Sequence, residues 1–470
     1  DGASLKAAGP ELDGDRAPAP EVALRLARLA AHRGAPADAA RWLDRAASDR
    51  TLAHEVAAIR ATLTTVVEPR TIAVLLPLTG RFSALGLELR AGIELAARGQ
   101  RPALTLHFVD TGGDADAAAS AVERAVRELH AVAILGPVGE LEGRAAAGRA
   151  AELGIPIGLL APGDGGASVD AGVFRLWGSV EWEAREAARL AVALGYDRMG
   201  VLASRDDHGA AAAAAFRDAA VALGAEVTAV GSYDPTATDL EPDVKAFLGL
   251  DPATNARLRA HLRKNGKQGW QSFSPDVPFA LLYIPDDHEA AALVASFLPY
   301  YNVELRSQDM TDIVELRRKH RGHVPQVVQL LGSSGWHHPG IVPRGGAAVE
   351  GALIVDVWSG GEAAEYLSDS AAGFAAAFRD ATGRPPTAVA AQAYDAAALL
   401  FVARAAAFAA AGDPPADGRA AVAGALRAAH LDDGACGPAA IDETGATTGE
   451  IRRSAFLLRI DAGDIVVHAW

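Results

Sequence analysis

The chain has 470 residues, half of them hydrophobic, and a formal net charge of −15. That length is long for one domain and points to two or three, with enough apolar content for sizeable cores. So acidic a balance argues against a nucleic-acid-binding surface or a basic membrane-facing patch, and a single cysteine, Cys436, rules out an intrachain disulfide or a cysteine-based zinc site.

The chain opens Asp1-Gly2-Ala3, without Met. A secretory or lipoprotein signal removed ahead of it is expected, the lipoprotein alternative placing a lipid anchor on the missing N-terminus. Residues 1–20 are rich in Pro, Gly and charge and read as a flexible tether. From Glu21 to Leu63 the spacing is helical. Val22, Leu24, Leu26, Leu29 and Ala30 mark a first helix, and Gly34-Ala35-Pro36 breaks it. Ala39, Ala40, Leu43 and Ala46 share a face of a second helix, and a third is expected over Leu52–Leu63. The unit resembles one tetratricopeptide repeat, which cannot bury its own face and must pack on the main body or a partner.

After Glu68-Pro69-Arg70 comes Thr71-Ile-Ala-Val-Leu-Leu-Pro77, a continuous apolar run that reads as a strand buried on both faces. The alternation then repeats. A helix is expected over Leu87–Arg98, a strand over Leu104–Asp110, a helix over Ala115–Leu129 and a strand over Ala131–Leu135. A helix at Leu141–Leu153 and a strand at Ile155–Leu160 follow. This order is the signature of a doubly wound parallel sheet.

A second series begins with a helix at Glu181–Leu194. It continues with strands at Met199–Ala203, Glu226–Gly231, Phe279–Ile284, Gln326–Leu331 and Ala352–Val357. Helices at Ala210–Leu223, Asp239–Leu248 and Glu289–Leu298 are interleaved. Gly249–Val277 has no clear period and reads as a surface insertion with a short helix at Pro252–Lys264. The apolar stretch Ala388–Ala411 contains Gln392, Asp395 and Arg404, which argues against a membrane span.

Two βα series imply two lobes facing a cleft, with ligands at the carboxyl ends of the strands. The loops there are Leu78–Leu85, Gly136–Glu140, Ala161–Gly166, Ser204–Gly209, Pro285–His288 and Gly332–His338. The expected organisation is a tether over 1–20 and a helical segment over 21–68. One lobe takes 71–176 with 359–445, the other 177–358 with 446–470. The crossovers fall near Trp177, Trp358 and Gly445.

Ile72-Ala-Val-Leu-Leu-Pro-Leu-Thr-Gly80 resembles the opening strand and ligand loop of the type I periplasmic binding proteins. Asp110-Thr-Gly-Gly-Asp-Ala-Asp116 and Ala133-Ile-Leu-Gly-Pro137 resemble that family's second and third strands. Gly195-Tyr-Asp-Arg-Met-Gly-Val-Leu202 with Asp206-Asp-His-Gly209 is similar to its second-lobe start. Ala391-Gln-Ala-Tyr-Asp-Ala-Ala397 is similar to the helix after its return crossover. The resemblance implies two Rossmann-like α/β lobes and a non-enzymatic role in the periplasm, binding a small molecule in the interlobe cleft.

Two branches share Leu330-Leu-Gly-Ser-Ser-Gly-Trp-His-His-Pro339 and Val349-Glu-Gly-Ala-Leu-Ile-Val-Asp356. One is the branched-chain amino-acid (Leu/Ile/Val) receptor of an ABC importer, with an ABC permease as its partner. The other is the penicillin-binding-protein activator, a lipoprotein that stimulates a peptidoglycan synthase. Tyr283-Ile-Pro-Asp-Asp287 and the helical segment lean toward the activators. The receptors place hydroxyl residues after the third and fourth strands and an aromatic one in the second lobe. Here those positions hold Val138-Gly139-Glu140, Ala161-Pro162-Gly163 and His208.

Loop position and resemblance together nominate Thr79, Phe82, Leu85, Pro137, Val138, Gly139, Ala161, Pro162, Trp177, His208, Asp286 and Trp336 as ligand-binding residues. Trp336 has two readings, an apolar cleft wall or a side chain packed under its loop. One of Asp286 and Asp287 is expected to cap the following helix, leaving the other for a ligand amine. No cofactor is implied. His337-His338 lacks a third metal ligand, Asp110, Asp114 and Asp116 lack the later ligands of a calcium loop, and no nucleophile constellation is visible.

Overall fold

The computed structural model describes residues 18–32, 36–63, 67–161, 163, 167–266, 269–307, 313–319, 325–360, 368–409, 415, 417–442 and 449–468. Three helices come first, α1 (Pro20–His32), α2 (Pro36–Ala46) and α3 (Ala53–Leu63). Ala23, Leu24, Ala27, Leu43, Ala46 and Val56 form their shared core. Val22 is 46% exposed, which corrects the expected face. The inward stripe is Ala23, Leu24, Ala27 and Ala30, where small side chains let α1 approach α2 closely.

The first sheet follows. It comprises β1 (Glu68–Leu76), α4 (Ser83–Arg98), β2 (Thr105–Asp110), α5 (Ala115–Arg127), β3 (Ala131–Leu135), α6 (Glu140–Leu153), β4 (Ile157–Leu159) and β5 (Val173–Arg175). The strand order is β2-β1-β3-β4-β5, parallel throughout. Every residue of β3 and the last six of β1 are buried, as a sheet covered on both faces requires. Gly136 ends β3 at φ +93, and a Cβ there would stand 2.1 Å from the Leu75 carbonyl oxygen, so glycine is obligatory at that turn.

The second series starts with α7 (Val180–Ala193), β6 (Arg198–Ser204), α8 (Asp207–Ala222) and β7 (Glu226–Tyr233). Next come α9 (Glu241–Phe247), α10 (Ala256–Asn265), α11 (Gly269–Ser272), β8 (Leu281–Ile284), α12 (His288–Tyr300), β9 (Glu304–Leu305) and α13 (Ile313–Lys319). They are followed by β10 (Val327–Gly332), α14 (Ile341–Gly345), β11 (Leu353–Asp356), α15 (Asp369–Thr382), α16 (Ala388–Ala409) and α17 (Gly418–Arg427). The chain ends in short strands, β12 (His430–Leu431), β13 (Ala439–Ile441), β14 (Ile451–Arg453), β15 (Phe456–Asp461) and β16 (Asp464–Val467).

The second sheet runs β16-β15-β11-β10-β8-β6-β7, with β9 beside β10. It is parallel except that β15 pairs antiparallel with both β11 and β16. Along β8, Leu281 and Tyr283 join one core cluster while Leu282 and Ile284 join another, so both faces of the sheet are packed.

The chain divides into two compact units. Unit one is Asp1–Trp177, Ala396–His430 and Ala440–Ile451; unit two is Gly178–Asp395, Leu431–Ala439 and Arg452–Trp470. The described residues of 359–395, with 431–439, belong to unit two and not to the expected first lobe, and 449–451 belong to unit one and not to the expected second. The physical reason lies in the packing of α15 and the start of α16. Phe374 meets Trp358 edge-on and also contacts Tyr394, all of them in unit two.

Helix α16 is long and apolar enough to cross a membrane by composition, yet 67% of its most apolar window is buried. Its polar side chains are engaged within the protein. Asp395 pairs with Arg453, and Arg404 Nε donates to the Pro69 carbonyl at 2.7 Å. The helix is a core element, buried over most of its N-terminal two thirds, with Val402, Ala405, Ala406 and Ala409 exposed toward its end.

Candidate functional site

In unit one, the candidate residues lie at the carboxyl edge of the first sheet. Asp110, the last residue of β2, organises the loop after β1. Its Oδ1 accepts from Leu78 N at 2.8 Å, Thr79 N at 3.2 Å and Gly112 N at 2.9 Å, and its Oδ2 accepts from Thr79 Oγ1 at 2.6 Å. Partial burial works to raise its pKa, but these bonds outweigh that and hold it below the ordinary aspartate value. Thr79 is therefore an ordered loop residue with its hydroxyl engaged. Phe82 precedes α4 and is 40% exposed, with the Arg81 guanidinium 4.4 Å from its ring centroid. Leu85 is half-buried in the first turn of α4.

The loops after β3 and β4 meet each other. Leu160 N donates to the Pro137 carbonyl at 3.0 Å. Pro137 and Ala161 are buried, while Val138 and Gly139 keep some exposure. Gly139 N donates to Glu142 Oε2 at 3.2 Å, which closes the start of α6. Trp177 is half-buried at the end of unit one's first segment. Pro162 lies outside the described residues.

Unit two holds His208, Asp286 and Trp336. Asp286 and Asp287 divide their work. Asp287 Oδ1 accepts from Glu289 N at 2.8 Å and Ala290 N at 3.0 Å and so caps α12. Asp286 is free of capping. Its Oδ2 accepts from the Tyr233 hydroxyl and its Oδ1 accepts from Asp287 N at 2.7 Å. Burial raises its pKa, partly opposed by these bonds and by His208. Asp206 caps α8, its Oδ1 accepting from Gly209 N at 2.8 Å and Ser204 Oγ at 2.7 Å. His208 is exposed and acts favourably on both Asp206 and Asp286.

Asp206, Asp286 and Asp287 border a pocket of about 660 Å³ at the carboxyl ends of β6, β7 and β8, and His208 is not among its lining residues. Asp206, Tyr233, Asp286, Asp287, Glu289 and Arg344 supply its polar wall. Tyr233, Glu289 and Arg344 were not among the residues read from sequence. Tyr233 ends β7, two residues beyond the expected strand, and its position at a strand's carboxyl end was the available signal.

Trp336 has no exposed surface. Its indole packs in the unit-two core and its Nε1 donates to the Ile284 carbonyl at 3.0 Å. Gly332 makes the room, since a Cβ there would meet the ring at 2.3 Å. Trp336 thus lies beneath the strand-end loop, and it offers a ligand no surface.

A separate polar cluster lies at the ends of β10 and β11. Glu183 of α7 accepts from Ser334 N and, at 3.1 Å, from Ser334 Oγ. His337 Nδ1 is 2.6 Å from Asp356 Oδ2. Burial, reinforced by the nearby Asp356 charge, pushes the Glu183 carboxyl up to about 7 against the Ser334 bonds. The folded state then holds this proton more tightly than the unfolded chain between about pH 4.5 and pH 7. Stability contributed at low pH is lost as pH rises through that window, by about 3 kcal/mol. Glu183→Gln keeps an acceptor for Ser334 and is expected to flatten this slope. Denaturant titrations of both proteins on either side of the window are the check. Among the described residues, no group of three or more His, Cys, Asp or Glu side chains is arranged to hold a metal.

A family model described as "Periplasmic binding protein" matches residues 69–254 and 317–464, well over half of the chain. A search of curated proteins found no match. Solved structures share the fold. A leucine-binding protein from Thermotoga maritima is 22% identical at a TM-score of 0.55, covering 85% of this chain and 97% of its own. An ABC transporter substrate-binding protein from Sphaerobacter thermophilus is 17% identical at a TM-score of 0.63, covering 86% and 97%. A solute-binding protein from R. palustris, solved in complex with benzoate, is 18% identical at a TM-score of 0.56, covering 85% and 95%.

Proposed function

We propose, from the premise that this chain belongs to the periplasmic binding protein family, that it is a non-enzymatic receptor for a small solute, an amino acid or a related compound. It acts in the periplasm and hands the solute to an ABC permease. The observation that carries this reading is Asp286. It is a half-buried carboxylate at a strand's carboxyl end, bordering a pocket, oriented by Tyr233 and released from capping by its neighbour Asp287. A buried carboxylate whose pKa is raised by desolvation gains most from an incoming cation. The relatives in solved structures, which by their descriptions bind leucine or benzoate, add support for a compact organic ligand.

A second reading has one observation in its favour. The three helices ahead of β1 form a core of their own, as a docking module in an activator of a peptidoglycan synthase would. On that reading the protein works by protein–protein contact.

A thermal-shift screen against amino acids, amines, aromatic acids and cell-wall fragments tests the first reading. A ligand at a hundred times its Kd stabilises the folded state by about 2.7 kcal/mol. A saturable rise with one solute class is expected. Flat responses to every solute, together with capture of a cell-wall synthase by the helical segment, would favour the second reading.

A further inference from the structure

The chemistry of the unit-two pocket narrows the solute class, an inference that rests on the solute-binding reading. The pocket has the volume of a small-ligand site. Its wall carries four carboxylates, Asp206, Asp286, Asp287 and Glu289, against one guanidinium, Arg344. Arg344 is already matched, with Nη2 2.6 Å from Glu289 Oε1. Three carboxylates remain; the exposed imidazole of His208 acts on Asp206 and Asp286, and His338 faces Asp287 and Glu289. The caps made by Asp206 and Asp287 use only Oδ1 of each. The rest of the wall is largely aliphatic, including Leu240 and Leu293.

We infer that the solute of this pocket is an aliphatic amine cation carrying no carboxylate. An ammonium group has three donors and no acceptor, which suits a wall of carboxylate oxygens. An aliphatic body suits the leucine and alanine surface. A ligand carboxylate would face three like charges with Arg344 already engaged.

The test is titration calorimetry with matched pairs, each amino acid against the amine left when its carboxylate is removed. The pairs are leucine with 3-methylbutylamine, lysine with 1,5-diaminopentane and arginine with agmatine. At least one amine is expected to bind about tenfold tighter than its parent. Asp286→Asn is expected to weaken that amine about a hundredfold. Glu289→Ala, which releases Arg344, is expected to narrow the gap between amine and parent. A parent amino acid or an uncharged solute that binds more tightly than every amine overturns the amine assignment and leaves the solute-binding reading standing. Failure of every solute to bind overturns both.

Discussion

Asp395→Ala destabilises the protein by about 3–5 kcal/mol, because it strands a buried charge. Asp395 is fully buried on α16, and the Arg453 side chain is 1% exposed. Oδ2 of the carboxylate lies 3.2 Å from Arg453 Nη1 and accepts from Cys436 N at 2.9 Å, while Oδ1 accepts from Ala435 N at 2.7 Å. Burial raises the Asp395 pKa even with Arg453 beside it, so the pair is no net source of stability. Its loss is costly for another reason. Alanine leaves a guanidinium and two amides without their acceptor in a site closed to water. Replacing both partners, Asp395→Leu with Arg453→Met, removes the stranded charge but not the amide penalty. That double variant is expected about 1–3 kcal/mol below the parent protein. Denaturant titration ranks the three. A loss below about 1 kcal/mol in Asp395→Ala would mean that the site relaxes to admit water.

Trp336→Ala is expected to cost about 3–5 kcal/mol by opening a cavity in the unit-two core. The side chain has no exposed surface, and its indole N–H satisfies the Ile284 carbonyl. Gly332→Ala tests the same contact from the other side, since the added methyl would stand 2.3 Å from the ring. The two changes share one contact, so their effects should be non-additive: with the ring gone, the methyl has room. Thermal unfolding of the two single variants and the double variant measures this. Additive losses would mean that Gly332 and Trp336 destabilise by separate routes.

The alternation of strands and helices was legible because β1 and β3 are buried on both faces and so carry unbroken apolar runs. β5 escaped because it is three residues long and includes Arg175, which pairs with Glu450 in unit one. The β15–β16 hairpin escaped for a different reason. Its two-residue turn is Ala462-Gly463, both at positive φ. Such turns are recognised by Asn or Asp at the first position, and alanine there gives no signal. At the site, the division between Asp286 and Asp287 was legible as alternatives, because one carboxylate suffices to cap a helix. Which way Trp336 points was not. A Trp in a strand-end loop reads the same whether it faces solvent or core, and the Gly332 cradle appears only when the two residues are brought together.

The proposed function places solute binding in unit two. Its most direct test is calorimetric titration of the best stabilising solute into the protein and into Asp286→Asn. Saturable one-to-one binding to the parent protein is expected, weakened about a hundredfold by the substitution while the thermal stability of the unliganded protein stays within about 1 kcal/mol. Equal affinity in the two proteins would contradict it and move the solute away from Asp286.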